Sequence, residues 1–507
     1  MSTIELAPYV PHDEGAPRLH APSVYGASPG KLLFYAIPAT GARPLRFSIS
    51  GELPGWLTID AQTGIISGTP ELGKTGGTHE EGAAACPRGQ CSYALTVRAE
   101  NALGADEKKI KLIIAPDGAG LTPMMGWCSW NAFGSHVSQQ KVEETAKFMV
   151  STGLSSYGYQ YVNTDSAWQG DYGGVHEAIM NNAKFPDMRA MTDLIHSLGL
   201  KAGIYSTPMQ KAWGGGELPG CTRGPLDCRW PESYFGIGRV RCEQACVDQW
   251  TEWGFDYLKY DWVPTDPDNA EIMKECLRKS SREFLFCVTT RAVLEHAAYW
   301  RENCSHWRDN GDSDDTWENV IDNRFKSDFW AEHIRPGHFF DMDMLECGCL
   351  SGQMSGIQRR SRLSENEQLA AYSIRALFPS PIQLSCDLGK LTAFDMAMFC
   401  NEEIIAVNQD ALAIGATCIR EERENELGRA ERSHRRAYLR PLEDGSLAAG
   451  LFNLSGQQED VTLPLDGKYS VRDLWAKKEL GECSGPLTLS IQPHAVRMLK
   501  LRPVQAS

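Results

Sequence analysis

The chain has 507 residues and a net charge of −15, with 42% hydrophobic and 23% charged residues. That length suits two to four domains built around large cores. An acidic balance without a lysine or arginine block argues against a nucleic-acid surface and favours a neutral ligand or plain solubility, and no apolar run reaches the roughly 18 residues of a membrane span.

The first residues, "MSTIELAPYVPHDEGAPRLH", carry no basic n-region and no apolar h-region. The expectation is a chain without a signal peptide: cytoplasmic if complete, secreted or periplasmic if a signal was trimmed. Residues 1–117 then read as a β-sandwich. In "PLRFSISGELPGWLTIDAQTGIISGTP" and "YALTVRAENALGADEKKIKLIIAP", short alternating segments are separated by Gly, Pro and Asp turns. The insert "GKTGGTHEEGAAACPRGQ" reads as a mobile loop.

From 118 to 412 the texture changes to short apolar strands alternating with amphipathic helices. Strands are expected at 124–130, 159–166, 201–207, 256–261, 284–290, 306–311, 338–345 and 381–388. "QQKVEETAKFMV" and "DMRAMTDLIHSL" have helical apolar spacing, with Gly153 and Gly199 as stop signals. Eight such repeats predict an α/β fold, a (β/α)8 barrel. An open doubly wound sheet fits less well, because no glycine-rich phosphate loop follows the first strand. From 413 to 507 the β texture returns as a C-terminal antiparallel sandwich, with Asp444-Gly445 as a hairpin signal.

Sixteen cysteines are present. Cys221/Cys228, Cys242/Cys246 and Cys86/Cys91 could each be a disulfide or two reduced thiols. No CxxC pair or His-x-x-x-His completes a zinc set.

Barrel enzymes place their chemistry at the C-terminal ends of the strands. Here those ends carry Trp130, Asp165, Lys259 with Asp261, then Arg308, Asp309 and Asp312, then Asp341 and Asp343. A single Asp at a strand end is ordinarily a helix cap or a solvated charge, and Asp314 and Asp315 are expected to be such helix-start residues. Several charged residues converging on one mouth, with aromatic walls, instead suit sugar binding and glycoside cleavage, which needs two carboxyl groups flanking one bond. Lys259 and Arg308 in that mouth would repel a divalent cation, so no metal is expected.

"TPMMGWCSWNAFG", "FDYLKYDW", "HWRDNGD", "FDMDMLECG", "PSPIQLSCDL" and "NEEIIAVNQDAL" resemble, in that order, the signature blocks of glycoside hydrolase family 27, the α-galactosidases and α-N-acetylgalactosaminidases. "LPGWLTIDAQTGIISGTP" resembles the immunoglobulin-like domain that precedes such barrels in bacteria. The resemblance implies a retaining glycosidase with Asp261 as nucleophile and Asp312 as general acid/base. It implies that Lys259 contacts ring hydroxyls and helps keep Asp261 ionised. Arg308 would meet the 2-position substituent, Trp130 would wall the sugar pocket, and Asp343 would shape it. No cofactor is implied, and the partner is a terminal galactose-like sugar; an oligomer is left open.

The departures from the family pattern concern the sugar. "NTDSAW" keeps Asp165 but has Ser166 where a second aspartate is usual, at the C4/C6 end. "FCVTTRAV" has Val288 where a Glu or Ser is usual, which leaves Thr289, Thr290 or Arg291 to replace it. α-Galactosidase is therefore the leading expectation. α-N-acetylgalactosaminidase, β-L-arabinopyranosidase and transglycosylase follow, and a non-catalytic sugar-binding protein comes last.

Overall fold

The computed structural model describes residues 4–51, 53–71, 90–351, 356–422 and 434–504. The expected loop at 73–90 lies outside the described residues apart from Gln90, as does Cys86.

Eight parallel strands form the central barrel: Met125–Cys128, Tyr161–Thr164, Lys201–Ser206, Tyr257–Asp261, Leu285–Thr289, His306–Trp307, Phe339–Phe340 and Ile382–Leu384. Each lies inside its expected segment. The first seven pair with one another in chain order, and the eighth pairs with the first, Ile382 opposite Met125. Between the seventh and eighth, among the described residues, the contact is a single parallel bridge from Leu345, beyond the end of the seventh strand, to Leu384. The sixth and seventh strands are only two residues long, so the backbone beyond them is free to turn and aim side chains.

Several helices between the strands start on side chains that satisfy exposed N–H groups. Ser138 accepts from Lys141, Asp187 from Ala190, and Asp266 from Asn269 with Pro267 in the first turn. Helix Glu365–Leu377 begins with a full capping box, Ser364 with Glu367. The stop glycines act as expected. Gly153 and Gly199 have φ of 86° and 77°, the left-handed conformation that lets the chain leave a helix. Asp314 and Asp315 do not start a helix. Thr316 occupies that position before Trp317–Arg324, while Asp315 binds the guanidinium groups of Arg359 and Arg362, and Asp314 binds Arg362. Two arginines, Arg359 in the strand Gln358–Arg360 and Arg362 just past it, take these carboxylates instead of the helix N–H groups.

Two β-sandwiches flank the barrel. At the N-terminal side, Val24–Ala27, Gly104–Ile114, Cys91–Asn101 and Arg46–Gly51 form one sheet, and Leu33–Ala36, Ile65–Gly68 and Thr58–Ile59 the other. Alternate residues Tyr93, Leu95, Val97 and Ala99 turn inward, the period-two pattern of a strand. This unit has its own core, containing Tyr35, Phe47 and Leu112. The C-terminal sheet is antiparallel and six-stranded, and Asp444-Gly445 makes its hairpin turn between Arg435–Pro441 and Leu447–Asn453. Its core is continuous with that of the barrel.

The N-terminal sandwich docks at the barrel's closed end, before the strands begin. Gln160 donates to the Ala36 carbonyl, Lys201 to the Tyr25 hydroxyl at 3.0 Å, and the Ser28 N–H to Glu283. Residues 4–10 run separately: Ile4 joins the barrel core, and the Ala7 N–H donates to the Trp475 carbonyl at 2.9 Å. The fifteen described cysteines are all free thiols. Among the described residues, no helix is long and apolar enough to cross a membrane.

Candidate active site

The fourth strand explains how a strand can end on a lysine and a carboxylate. Side chains alternate across a strand, so Tyr257, Lys259 and Asp261 share one face, and Leu258 and Tyr260 the other. Tyr257 packs with Met124, Tyr161, Leu285 and Cys287 as the barrel's apolar floor. Leu258 and Tyr260 face outward into the core under the helices. Lys259 and Asp261 are therefore the next layers up the barrel interior, where a purely apolar residue would seal the mouth.

Two cations organise the carboxylates. Lys259 Nζ lies 2.7 Å from Oδ2 of Asp165, which also accepts from the Cys128 thiol at 3.2 Å. The Asp165 N–H donates to Ser129 Oγ at 2.9 Å. Arg308, 2% exposed, reaches Asp343 at 2.6 Å and Asp312 at 2.9 Å, and donates to the Thr290 hydroxyl. A rigid planar fork suits this shared role better than an ammonium would. Asp312 is the outermost of the set, its side chain 67% exposed. Asp261 sits deeper.

Asp343 stands in a left-handed turn, φ 61°, a conformation that needs external support in a residue with a side chain. Its carboxylate accepts the Ser313 N–H at 2.8 Å, and its own N–H donates to Asp341 at 2.8 Å. The buried Arg375 guanidinium donates to the carbonyls of Met342, Asp343 and Met344 at 3.0, 3.2 and 3.0 Å.

Burial is the strongest influence on Asp261 and pushes its carboxyl up to about 6. Lys259 and Arg308 pull it back, Asp312 pushes it further up, and the Tyr205 hydroxyl, donating at 2.9 Å, steadies the charge. Lys259 thus favours the ionised form, as expected, yet desolvation outweighs it. Burial also opposes the Lys259 charge, but Asp165 and Asp261 outweigh it and hold the ammonium above its usual range. Burial opposes the Asp343 charge too, and Arg308 overcomes it, holding that carboxyl below the usual range. The Tyr205 hydroxyl is raised by burial and by Asp261, so it stays a donor.

The other expected residues divide. Trp130 lies half-buried in the short helix Ser129–Phe133 that leaves the first strand. The Ser166 hydroxyl donates to the Trp213 carbonyl, so it is committed to a neighbouring loop. Thr289 bonds Thr290 at 2.8 Å, and it is Thr290 that meets Arg308. Asp309 turns away and accepts from the Trp330 indole at 2.6 Å. Tyr205 was not expected. Its signal was a tyrosine at the end of the third strand, inward by parity. Among the described residues, no group of three or more His, Cys, Asp or Glu is arranged to hold a metal ion. A half-buried carboxylate beside two cations, with a second carboxylate at the rim on one of those cations, has the components of a two-step displacement at a sugar carbon.

Comparison with known proteins agrees with this architecture. The family profile described as Alpha galactosidase A matches residues 122–410. The Alpha galactosidase C-terminal beta sandwich domain matches 434–501, and an Ig domain profile matches 16–114. Alpha-galactosidase 2 of Arabidopsis thaliana is 30% identical over 393 residues, 76% of this chain and 90% of its own. The crystal structure of alpha-galactosidase I from Mortierella vinacea is 27% identical with a TM-score of 0.64, covering 77% of this chain and 99% of its own. A Bacteroides fragilis structure, 26% identical with a TM-score of 0.80, covers 97% of this chain and 99% of its own.

Proposed function

The chain belongs to the alpha galactosidase A family, and from that premise we propose that it is a retaining exo-glycosidase that hydrolyses terminal α-galactosides, with Asp261 as nucleophile and Asp312 as general acid/base. The observation that carries the assignment is the division of labour around Arg308. This one buried guanidinium holds Asp312 at the rim and acts on the charge of Asp261 inside. Asp261 attacks the anomeric carbon while Asp312 gives its proton to the departing oxygen. Water then enters at the exposed rim, Asp312 takes its proton, and the new hydroxyl displaces Asp261 with the original configuration restored. Lys259, Asp165, Arg308 and Asp343 supply hydrogen bonds to the ring hydroxyls, and Trp130 an apolar wall. The wild-type chain is expected to hydrolyse p-nitrophenyl α-galactoside. Asp261→Ala is expected to abolish that turnover while the circular dichroism spectrum stays native. Substantial residual activity would remove Asp261 as nucleophile.

One observation favours a second reading, a β-L-arabinopyranosidase with the same mechanism. That sugar has galactose-like ring stereochemistry and lacks C6, and Ser166, at the C4/C6 end, spends its hydroxyl on Trp213. Assaying both glycosides with wild type and Ser166→Asp separates the readings. If Ser166 sets the choice, the ratio of galactoside to arabinopyranoside hydrolysis shifts with the substitution; a fixed ratio removes the idea.

A further inference from the structure

Between the third barrel strand and the following helix, residues 207–242 leave the barrel and return. This excursion carries a hairpin, Thr222–Leu226 paired with Gly238–Arg241. It also carries three clustered rings. Trp213, Tyr234 and Phe235 have centroids 4.7 to 4.8 Å apart. Such a cluster ordinarily buries itself, yet Tyr234 is 67% exposed and Trp213 and Phe235 are only half-buried.

The cluster meets the active-site mouth at three points, two of them hydrogen bonds. The Trp213 carbonyl accepts from Ser166, beside Asp165. The backbone of Trp213 lies against the Tyr205 hydroxyl, which donates to Asp261. The Tyr234 N–H donates at 3.1 Å to the carbonyl of Val263, two residues past Asp261. The rings therefore stand on the rim between the ends of the second and fourth strands, immediately outside the pocket proposed for the terminal sugar.

We propose that Trp213 and Tyr234 form a subsite for the leaving group, taking a second pyranose ring by its apolar face. The inference rests on the glycosidase reading above. Pyranoses present faces of C–H groups that pack against the negative face of an aromatic ring, and exposed apolar surface beside a site marks a place where a ligand covers it. A ring stacked there is held as the glycosidic bond is broken, so its contribution appears in kcat/KM for substrates that carry it and not for those that lack it.

The test compares two glycosides with alkoxide leaving groups, melibiose (galactose α-linked to glucose) and methyl α-galactopyranoside. Wild type, Tyr234→Ala, Tyr234→Phe and Trp213→Ala are measured on both. Tyr234→Ala is expected to lose about five- to tenfold more kcat/KM on melibiose than on the methyl glycoside. Tyr234→Phe keeps the ring and restores the wild-type ratio, and Trp213→Ala moves it in the same direction as Tyr234→Ala. Equal losses on both substrates would make the rings fasteners of the loop and overturn the subsite. No loss on either would overturn it as well. If the wild type cleaves both glycosides and the ratio never moves, only the subsite fails; if it cleaves neither, the galactosidase reading fails and the subsite with it.

Discussion

Asp261 is held where its charge is unfavourable, and that has two measurable consequences. Its carboxyl sits at about 6 because burial outweighs Lys259 and Arg308. As the proposed nucleophile, Asp261 must be ionised, so kcat/KM is expected to fall about tenfold per pH unit below pH 6, on an acidic limb that Asp261 sets. The second consequence is in stability. The folded state binds the Asp261 proton more tightly than an unfolded chain with an ordinary aspartate, so the charge opposes folding above about pH 6. Asp261→Asn should therefore be inactive and yet melt a few degrees higher at pH 7.5. That gain should fade as the pH drops from 6 toward 4, where the wild-type carboxyl is protonated in the folded state too. Differential scanning calorimetry at two pH values checks the sign; a variant less stable at pH 7.5 would contradict it. The sequence alone suggested that Lys259 would keep Asp261 ionised. Lys259 does act in that direction, but desolvation, which depends on how tightly the folded mouth closes, is the larger influence and carries no sequence signal.

At the scale of elements, the strands were legible and the turns after them were not. All eight barrel strands and the glycines that end the helices followed from hydrophobic period and stop signals, because both are local properties. So was the parity that places Lys259 and Asp261 on one face. Arg375 was invisible: in the helix Glu365–Leu377 it reads as one more charged residue, yet it is fully buried and ties down the turn that presents Asp343. The roles expected for Asp314 and Asp315 failed for the same reason, since their arginine partners lie more than forty positions away in the chain. Arg375→Met should leave those carbonyls unpaired and cost about 3 kcal/mol of stability by urea unfolding. With the Asp343 turn relaxed, Arg308 loses a partner, so KM is expected to rise as well. Arg375→Lys keeps a charged donor but has no second nitrogen for the Ala371 carbonyl, which Arg375 also bonds at 2.7 Å, and should fall between. Unchanged stability and KM in Arg375→Met would show that the turn holds itself.

Across the whole molecule, the three textures of the sequence correspond to two large cores, besides the small apolar floor inside the barrel. The barrel and the C-terminal sandwich share one, while the N-terminal sandwich has its own and docks on the barrel's closed end through Gln160, Lys201 and Glu283. It is thereby kept away from the mouth where Asp261 and Asp312 sit. The path of residues 4–10 across the other two units carried no sequence signal, because a single extended segment has no periodicity. What the whole architecture accomplishes is to bring one carboxylate from the fourth strand and one from beyond the sixth to a common cation. The central claim is that Asp261 becomes covalently glycosylated. The most direct measurement is trapping with a slow fluorinated galactosyl fluoride, followed by proteolysis and mass spectrometry. One hexosyl adduct on the peptide containing Asp261 is the predicted result; an adduct on a different carboxylate, or turnover to an inverted sugar with no adduct, would contradict it.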